Sequence, residues 1–374
     1  MPRNAVTIRR VEGVPGEVYY PLETMTYVDP EPEEEEVIVQ MTAAALNHRD
    51  YFIRQHLYPG TTFGVPLLSD GCGVVAATGS SANAKRWLGK RVILNPGIGW
   101  KCSPEGPEDS AGYRYLGGTK FHPQGTLSET VRANWVEVVE VPEHLTDTEA
   151  AALPLAGLTA WRALVTKSGA AAPNRNILVT GIGGGVALMV LLFASAMGAN
   201  VYVTSGSDEK LEKARRLGAR GGVNYNANLW EKELVKVLPA ERPFFDAIID
   251  GAGGDVVVNG TRVLKARGVI VSYGMTLGPK VTYSMGAVLK NIEIRGSTGG
   301  SRKEFGDMVQ FVKDHRIVPI ISSVVENALE DLGELDKLFH KMKDQSQFGK
   351  LVVTIGQGQS NAETPGGTQQ AHKI

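Results

Sequence analysis

Short apolar runs and longer segments of mixed character alternate along the second half of the chain, and the first half lacks that alternation. Residues 176–180 (Asn-Ile-Leu-Val-Thr) and 201–204 (Val-Tyr-Val-Thr) have the length and β-branched content of buried strands. Between them, residues 186–197 are almost wholly apolar and long enough for a buried helix. Residues 207–217 predict a helix capped by Ser207, and 247–250, 269–273 and 292–296 predict further strands. Helices are expected near 303–315 and 332–344, with a last strand at 350–355. This succession predicts an α/β fold built on a parallel, doubly wound sheet.

Before residue 150 the pattern is different. Apolar runs at 37–41, 72–76, 91–94 and 135–141 are separated by Gly- and Pro-rich turns, and 7–28 read as strands and turns, which predicts a compact mostly-β domain. Residues 97–125 interrupt it with a long polar stretch rich in Gly, Pro and aromatics, expected to form an ordered lobe or lid. Residues 356–374 carry almost no apolar side chains and are expected to be a disordered tail.

Composition narrows the function. At about 150 residues per domain, 374 residues make two or three domains. The 39 Lys plus Arg against 40 Asp plus Glu leave no basic excess for nucleic acid or an anionic membrane. The longest apolar stretch, 187–199, falls short of the roughly 20 residues a membrane helix needs. Two cysteines exclude a four-cysteine zinc site, and without a signal peptide ahead of them a cytoplasmic, reducing location is expected. Glycine is in excess, 44 of 374 residues, which favours tight βα turns and a phosphate-cradling loop.

That loop is visible in Leu178-Val-Thr-Gly-Ile-Gly-Gly-Gly-Val-Ala187, a strand running through glycines into an apolar helix. Gly181, Gly183, Gly184 and Gly185, with Val186 opening the helix, would let backbone N–H groups approach a pyrophosphate at the helix's positive end. The usual G-x-G-x-x-G register puts Val186 at the third glycine, whereas Gly181-x-x-Gly184-x-x-Ala187 fits, with Ala187 supplying the close helix packing. At the end of the next strand an NAD site would carry a carboxylate. Here stand Ser205 and Ser207, followed by Lys210: hydroxyls and a cation, which suit the 2′-phosphate of NADP(H). Ser207 also suits a helix cap, and the two roles are compatible.

Several motifs together resemble the medium-chain dehydrogenase/reductase superfamily, in its zinc-free quinone oxidoreductase and enoyl reductase branch. They are Asn47-His-Arg-Asp50 with Arg54 and Leu57-Tyr-Pro59, Ser69-Asp-Gly-Cys-Gly-Val-Val75, Gly125-Thr126 with Glu129, 150–161, the glycine loop, and Phe348-Gly-Lys350. The resemblance implies a GroES-like catalytic domain from residues 1–152 and 301–355 and a Rossmann NADP-binding domain from 153–300. It also implies a homodimer joined through the Rossmann sheet edge.

The same resemblance assigns roles. Thr159 falls near the nicotinamide and Lys210 and Tyr225 near the adenosine 2′-phosphate, while Gly251, Ser272 and Tyr273 edge the cofactor cleft. Tyr58 is the candidate proton donor to substrate, with Asn47 and Asp50 on the same segment as further catalytic candidates. Asp50 is also placed to form an i,i+4 ion pair with Arg54, Tyr58 to be a loop aromatic, Tyr225 sheet-edge packing and Ser272 a turn residue. Where the family's zinc enzymes hold their catalytic metal, this chain has Asn47, Ser69 and Leu155, so no metal is expected. His56 replaces a common glycine, and is expected either to reshape the pocket or to face solvent.

Without a Lewis acid the expected acceptor is one already polarised by conjugation. The sequence therefore predicts NADP(H)-dependent hydride transfer to a C=C bond conjugated to a carbonyl. A quinone reductase is the alternative within enzymes, and an NADPH-binding sensor or assembly subunit the alternative outside them.

Overall fold

The computed structural model describes residues 2–28, 31–278 and 280–356. Its six-stranded sheet is wholly parallel, in the order Gly221–Asn224, Asn200–Ser205, Asn176–Val179, Phe245–Asp250, Leu264–Ser272, Glu293–Gly296. The order reverses beside Asn176–Val179, and that reversal opens the crevice in which α/β sheets bind ligands. Ile177, Leu178, Val179, Ile248, Ile249, Ile270 and Val271 are all buried, as expected of strands covered on both faces.

The helix Gly185–Ala196 is apolar all round because it lies between this sheet and the helix Pro154–Trp161. Phe193, Trp161 and Phe311 meet edge to face or tilted, joining the helix Arg302–His315 to that pair. Edge strand Gly221–Asn224 and the short helices Trp230–Lys236 and Val256–Val263 are elements the sequence pattern did not predict. Residues 135–137 form a 3₁₀ turn ahead of the strand Val138–Glu140, so the run 135–141 is only partly strand. The expected tail falls, from residue 357 on, outside the described residues.

The second sheet has seven strands, centred on Glu36–Ala45, with Thr130–Asn134 paired on it and Asp70–Thr78 and Lys350–Thr354 as neighbours. Its central strand runs past residue 41 because Ala43, Ala44 and Ala45 are buried small residues that continue the ladder. Register decides the site: Ala45 lies opposite both Asp70 and Val352, which gathers Asn47, Asp70 and Lys350 at one end of the sheet. Among the described residues no helix is long and apolar enough to cross a membrane. Both cysteines are free, Cys72 buried and Cys102 exposed.

Residues 97–125 form an ordered lobe. Gly97–Ile98 pairs with Arg114–Tyr115, and Thr61 bridges Thr119. The Glu108 carboxylate accepts the backbone N–H groups of Cys102, Lys101 and Ser103, which hold its carboxyl down to about 2. The lobe docks on the loop after the last parallel strand: Gly299 has φ +47, and a Cβ there would stand 2.5 Å from the Tyr113 ring.

His56 takes φ 55, a left-handed conformation that explains why glycine suits this position. Its Nδ1 meets the Tyr20 hydroxyl at 2.7 Å, so the side chain is held by its own domain. His56→Ala keeps the strained backbone and loses the bond, and should lower unfolding stability by about 1 kcal/mol. His56→Gly loses the bond but relieves the strain, and should be nearly neutral. Equal losses for the two variants in urea denaturation would contradict this account.

Candidate active site

The glycine loop has the geometry of a phosphate cradle. Gly181 (φ +63) and Gly183 (φ +128) adopt backbone conformations that L side chains rarely take, and Gly184 is the N-cap of the following helix. No side chain caps that helix, whose first turn contains Gly185 and Val186. Its chain neighbours aside, a Cβ at Gly184 would meet none of the described atoms within 4 Å, so the glycine there leaves open space beside the helix N-terminus. At Gly185 a Cβ would lie 2.7 Å from Lys350 Cδ, so this glycine permits close packing across to the other sheet. These residues fit a dinucleotide pyrophosphate.

Ser205, Ser207, Lys210 and Tyr225 gather around Gly206. The Ser205 hydroxyl accepts the Ser207 N–H at 3.1 Å, Ser207 caps the helix Asp208–Arg216, and the Tyr225 N–H donates to the Ser205 carbonyl. Tyr225 lies over Gly206, where a Cβ would be 2.7 Å from its hydroxyl. Lys210 leans toward the glycine loop and its Nζ donates to the Gln345 carbonyl at 2.6 Å. Burial and Lys213 lower its pKa from the usual lysine value.

Gly251 and Ser272 sit at the ends of adjacent parallel strands, as expected for the edge of a cofactor cleft. A Cβ on Gly251 would stand 2.5 Å from the Tyr273 ring, and Ser272 Oγ donates to the Gly274 carbonyl, a turn contact. Ser272 and Tyr273 line a cleft of about 390 Å³ with Trp100, Arg162, Lys167 and Ser297. Thr159 is buried on the helix Pro154–Trp161, at 5 % exposure.

The chemistry concentrates at the sheet end. Lys350, 4 % exposed, donates from Nζ to the Leu46 carbonyl (2.7 Å), Asn47 Oδ1 (2.6 Å) and Asp70 Oδ2 (2.8 Å). Asn47 Nδ2 donates to the same Asp70 oxygen at 2.8 Å, while Asp70 Oδ1 accepts the Leu155 N–H at 2.7 Å. With Oδ1 on Lys350 and one amide hydrogen on Asp70, the carboxamide of Asn47 has one N–H left. Asp50 accepts the Asn47 N–H at 2.8 Å and pairs with Arg49 at 3.1 Å. The i,i+4 pair with Arg54 does not form, because Arg54 turns to Asp336 and packs between the Tyr19 and Phe339 rings.

A family zinc would have to be held here, and the donors do not fit one. Leu155 offers no side-chain donor, Asn47 Oδ1 is held by an ammonium, and that ammonium already neutralises Asp70. Among the described residues no three His, Cys, Asp or Glu side chains converge to hold a metal.

Arg49, Tyr115 and Lys350 were missed as site residues. Arg49 donates from Nη1 to the Leu116 carbonyl and from Nη2 to the Gly117 carbonyl, and its guanidinium carbon lies 4.8 Å from the Tyr58 ring centre and 5.6 Å from that of Tyr115. Tyr58 is half-buried. The sequence signals for Lys350 were its place in the Phe348-Gly-Lys350 motif and a lone charge opening the apolar strand Lys350–Thr354.

A family model described as an alcohol dehydrogenase GroES-like domain matches residues 33–143, and one described as a zinc-binding dehydrogenase matches 185–314. The chain is 51% identical over 355 residues to the zinc-type alcohol dehydrogenase-like protein YogA of Leptosphaeria maculans, covering 94% of this chain and 99% of that protein. An acryloyl-coenzyme A reductase of Metallosphaera sedula is 26% identical over 336 residues, 87% of this chain and 94% of that one. A crystal structure of an NAD-dependent alcohol dehydrogenase superposes with a TM-score of 0.81 at 30% identity, covering 94% of this chain and 100% of that chain.

Burial pushes the Asp50 carboxyl up to about 6, against the opposing pull of Arg49 and the Asn47 N–H. The folded chain therefore keeps a proton on Asp50 over a range, from about pH 4 to 6, where the unfolded chain has released it. This residue's contribution to stability falls as pH rises through that window, by up to about 1.4 kcal/mol per pH unit, and is constant above it. Asp50→Asn should remove that contribution, so the stability difference between wild type and variant should shift across the window and then level off. Denaturant titrations that show a pH-independent difference would contradict the buried carboxyl.

Proposed function

Because this chain belongs to the medium-chain dehydrogenase/reductase superfamily and is an oxidoreductase of it, we propose that it is an NADP(H)-dependent, zinc-independent reductase of C=C bonds conjugated to a carbonyl. The observation that carries this reading is the buried Lys350–Asn47–Asp70 cluster, an ammonium held where a metal enzyme of the family would need ligand atoms. A simple alcohol or ketone needs a Lewis acid at its oxygen, whereas a conjugated acceptor spreads the incoming charge onto an oxygen that hydrogen bonds can stabilise.

The glycine loop would hold the pyrophosphate, and Ser205, Ser207, Lys210 and Tyr225 the adenosine 2′-phosphate, with no carboxylate at the end of the strand Asn200–Ser205 to favour an unphosphorylated ribose. When bound, the cofactor supplies hydride from its nicotinamide C4. Asn47 has its amide oriented by Lys350 and Asp70 so that the remaining N–H donates to the substrate's carbonyl oxygen. Tyr58 donates the proton that completes reduction at the α-carbon. The acryloyl-coenzyme A reductase among its relatives supports an enoyl-type acceptor. The NAD-dependent relative makes the choice of cofactor the first thing to measure.

Nicotinamide absorbance followed with NADPH and NADH, with an enal, an enone, a quinone and a simple ketone, tests the reading. Chelator-resistant oxidation of NADPH in preference to NADH, with conjugated acceptors and not the ketone, is the expected result. Tyr58→Phe should lower alkene reduction by roughly 100-fold, the usual scale of a general acid, and quinone reduction far less. Chelator-sensitive ketone turnover would overturn the reading.

A further inference from the structure

Arg49 is 7 % exposed, and its Nε is buried without a hydrogen-bond partner among the described residues. Its two terminal nitrogens are used, on the Leu116 and Gly117 carbonyls, Ser69 Oγ at 3.4 Å and Asp50 at 3.1 Å. Burying a guanidinium against a single carboxylate, with one donor unmet, is costly, and an apolar side chain would fill the same space without that cost. The charge is spent on aromatic faces: the guanidinium carbon lies 4.8 Å from the Tyr58 ring centre and 5.6 Å from the Tyr115 ring centre. Tyr115 in turn reaches Thr298 Oγ1 at 3.3 Å, so the stack spans from the Asn47 segment to the loop beyond the last parallel strand. The Tyr58 hydroxyl makes no hydrogen bond to another of the described residues.

We propose that Arg49 is a positioning residue that makes Tyr58 an effective proton donor, by fixing the phenol ring and by setting a buried positive charge against its face. The proposal rests on the reading of Tyr58 given above. A bound nicotinamide would supply the hydride that forms the C–H bond at the substrate's β-carbon and would be left oxidised, with the C=C electron pair moved toward the carbonyl as an enolate. The Tyr58 O–H bond then breaks, its proton forms the new bond at the α-carbon, and its electron pair stays on the phenol oxygen, which solvent reprotonates. Negative charge develops in the Tyr58 ring only while that proton leaves. A cation at its face therefore favours the transition state over the resting phenol. Asp50 tempers this charge without cancelling it, because the carboxylate meets one terminal nitrogen while the guanidinium carbon lies over the ring.

The test is a double-mutant cycle of Arg49→Met and Tyr58→Phe, with Arg49→Lys as the charge-retaining control. It is read on enone reduction by kcat, KM and the solvent deuterium isotope effect. Thermal unfolding and NADPH binding, followed by nicotinamide fluorescence, show that each variant is folded and loads cofactor. Arg49→Met should lower kcat roughly 3- to 30-fold with little change in KM, raise the solvent isotope effect, and leave NADPH binding unchanged. Arg49→Lys should recover most of the loss, and in the Tyr58→Phe background Arg49→Met should cost nothing further. The same loss in the Phe background, or an unchanged isotope effect, overturns the role of Arg49 and leaves Tyr58 standing as donor. Wild-type enone reduction by Tyr58→Phe alone removes the donor, and this proposal with it.

Discussion

One buried ammonium holds the two halves of the site together. Lys350 opens a strand of the GroES-like sheet, packs its side-chain stem against the first residue of the helix Gly185–Ala196, and ends on Leu46, Asn47 and Asp70. Asp70 carries the connection onward to the backbone of Leu155, in the helix that packs on the Rossmann half. A buried charge cannot change partners cheaply, because a carboxylate left alone in that setting costs several kcal/mol. The cluster therefore fixes how the segment 47–58 stands relative to the glycine loop.

Two further contacts depend on that placement. Gly349 donates its N–H to the Gly183 carbonyl at 2.9 Å, and Lys210 reaches the Gln345 carbonyl, so the segment entering the last strand lies along the phosphate loop from both sides. On the other flank Arg49 clamps the 97–125 lobe by its carbonyls at 116 and 117. Glycines mark where the approach is closest: Gly185 against Lys350, Gly299 against the two lobe tyrosines, and Gly206 beneath Tyr225. The edges of the site are held by polar anchors.

What the sequence disclosed was local and periodic. The parallel sheet, the glycine loop and the Ser207 cap were legible because each depends on neighbours within about one βα unit. The hub around Lys350 was not, because residues 303 apart in sequence, Asn47 and Lys350, are joined only by the register of antiparallel strands. Arg49 was hidden for a related reason. Its spacing from Asp50 says nothing of stacking, and the i,i+4 rule pointed instead to Arg54, which tertiary packing draws to Asp336. His56 shows a third limit, since a left-handed turn can be occupied by histidine when a tyrosine hydroxyl holds the ring.

The most direct test of the central claim is the unfolding free energy of Lys350→Met, Asp70→Asn and the double variant in denaturant titrations. If the ammonium is the partner that makes the buried Asp70 carboxylate tolerable, Lys350→Met should cost about 3–5 kcal/mol, and adding Asp70→Asn should restore a good part of it. Losses that simply add would show that the two groups do not depend on each other, and would contradict the account of how this site is held.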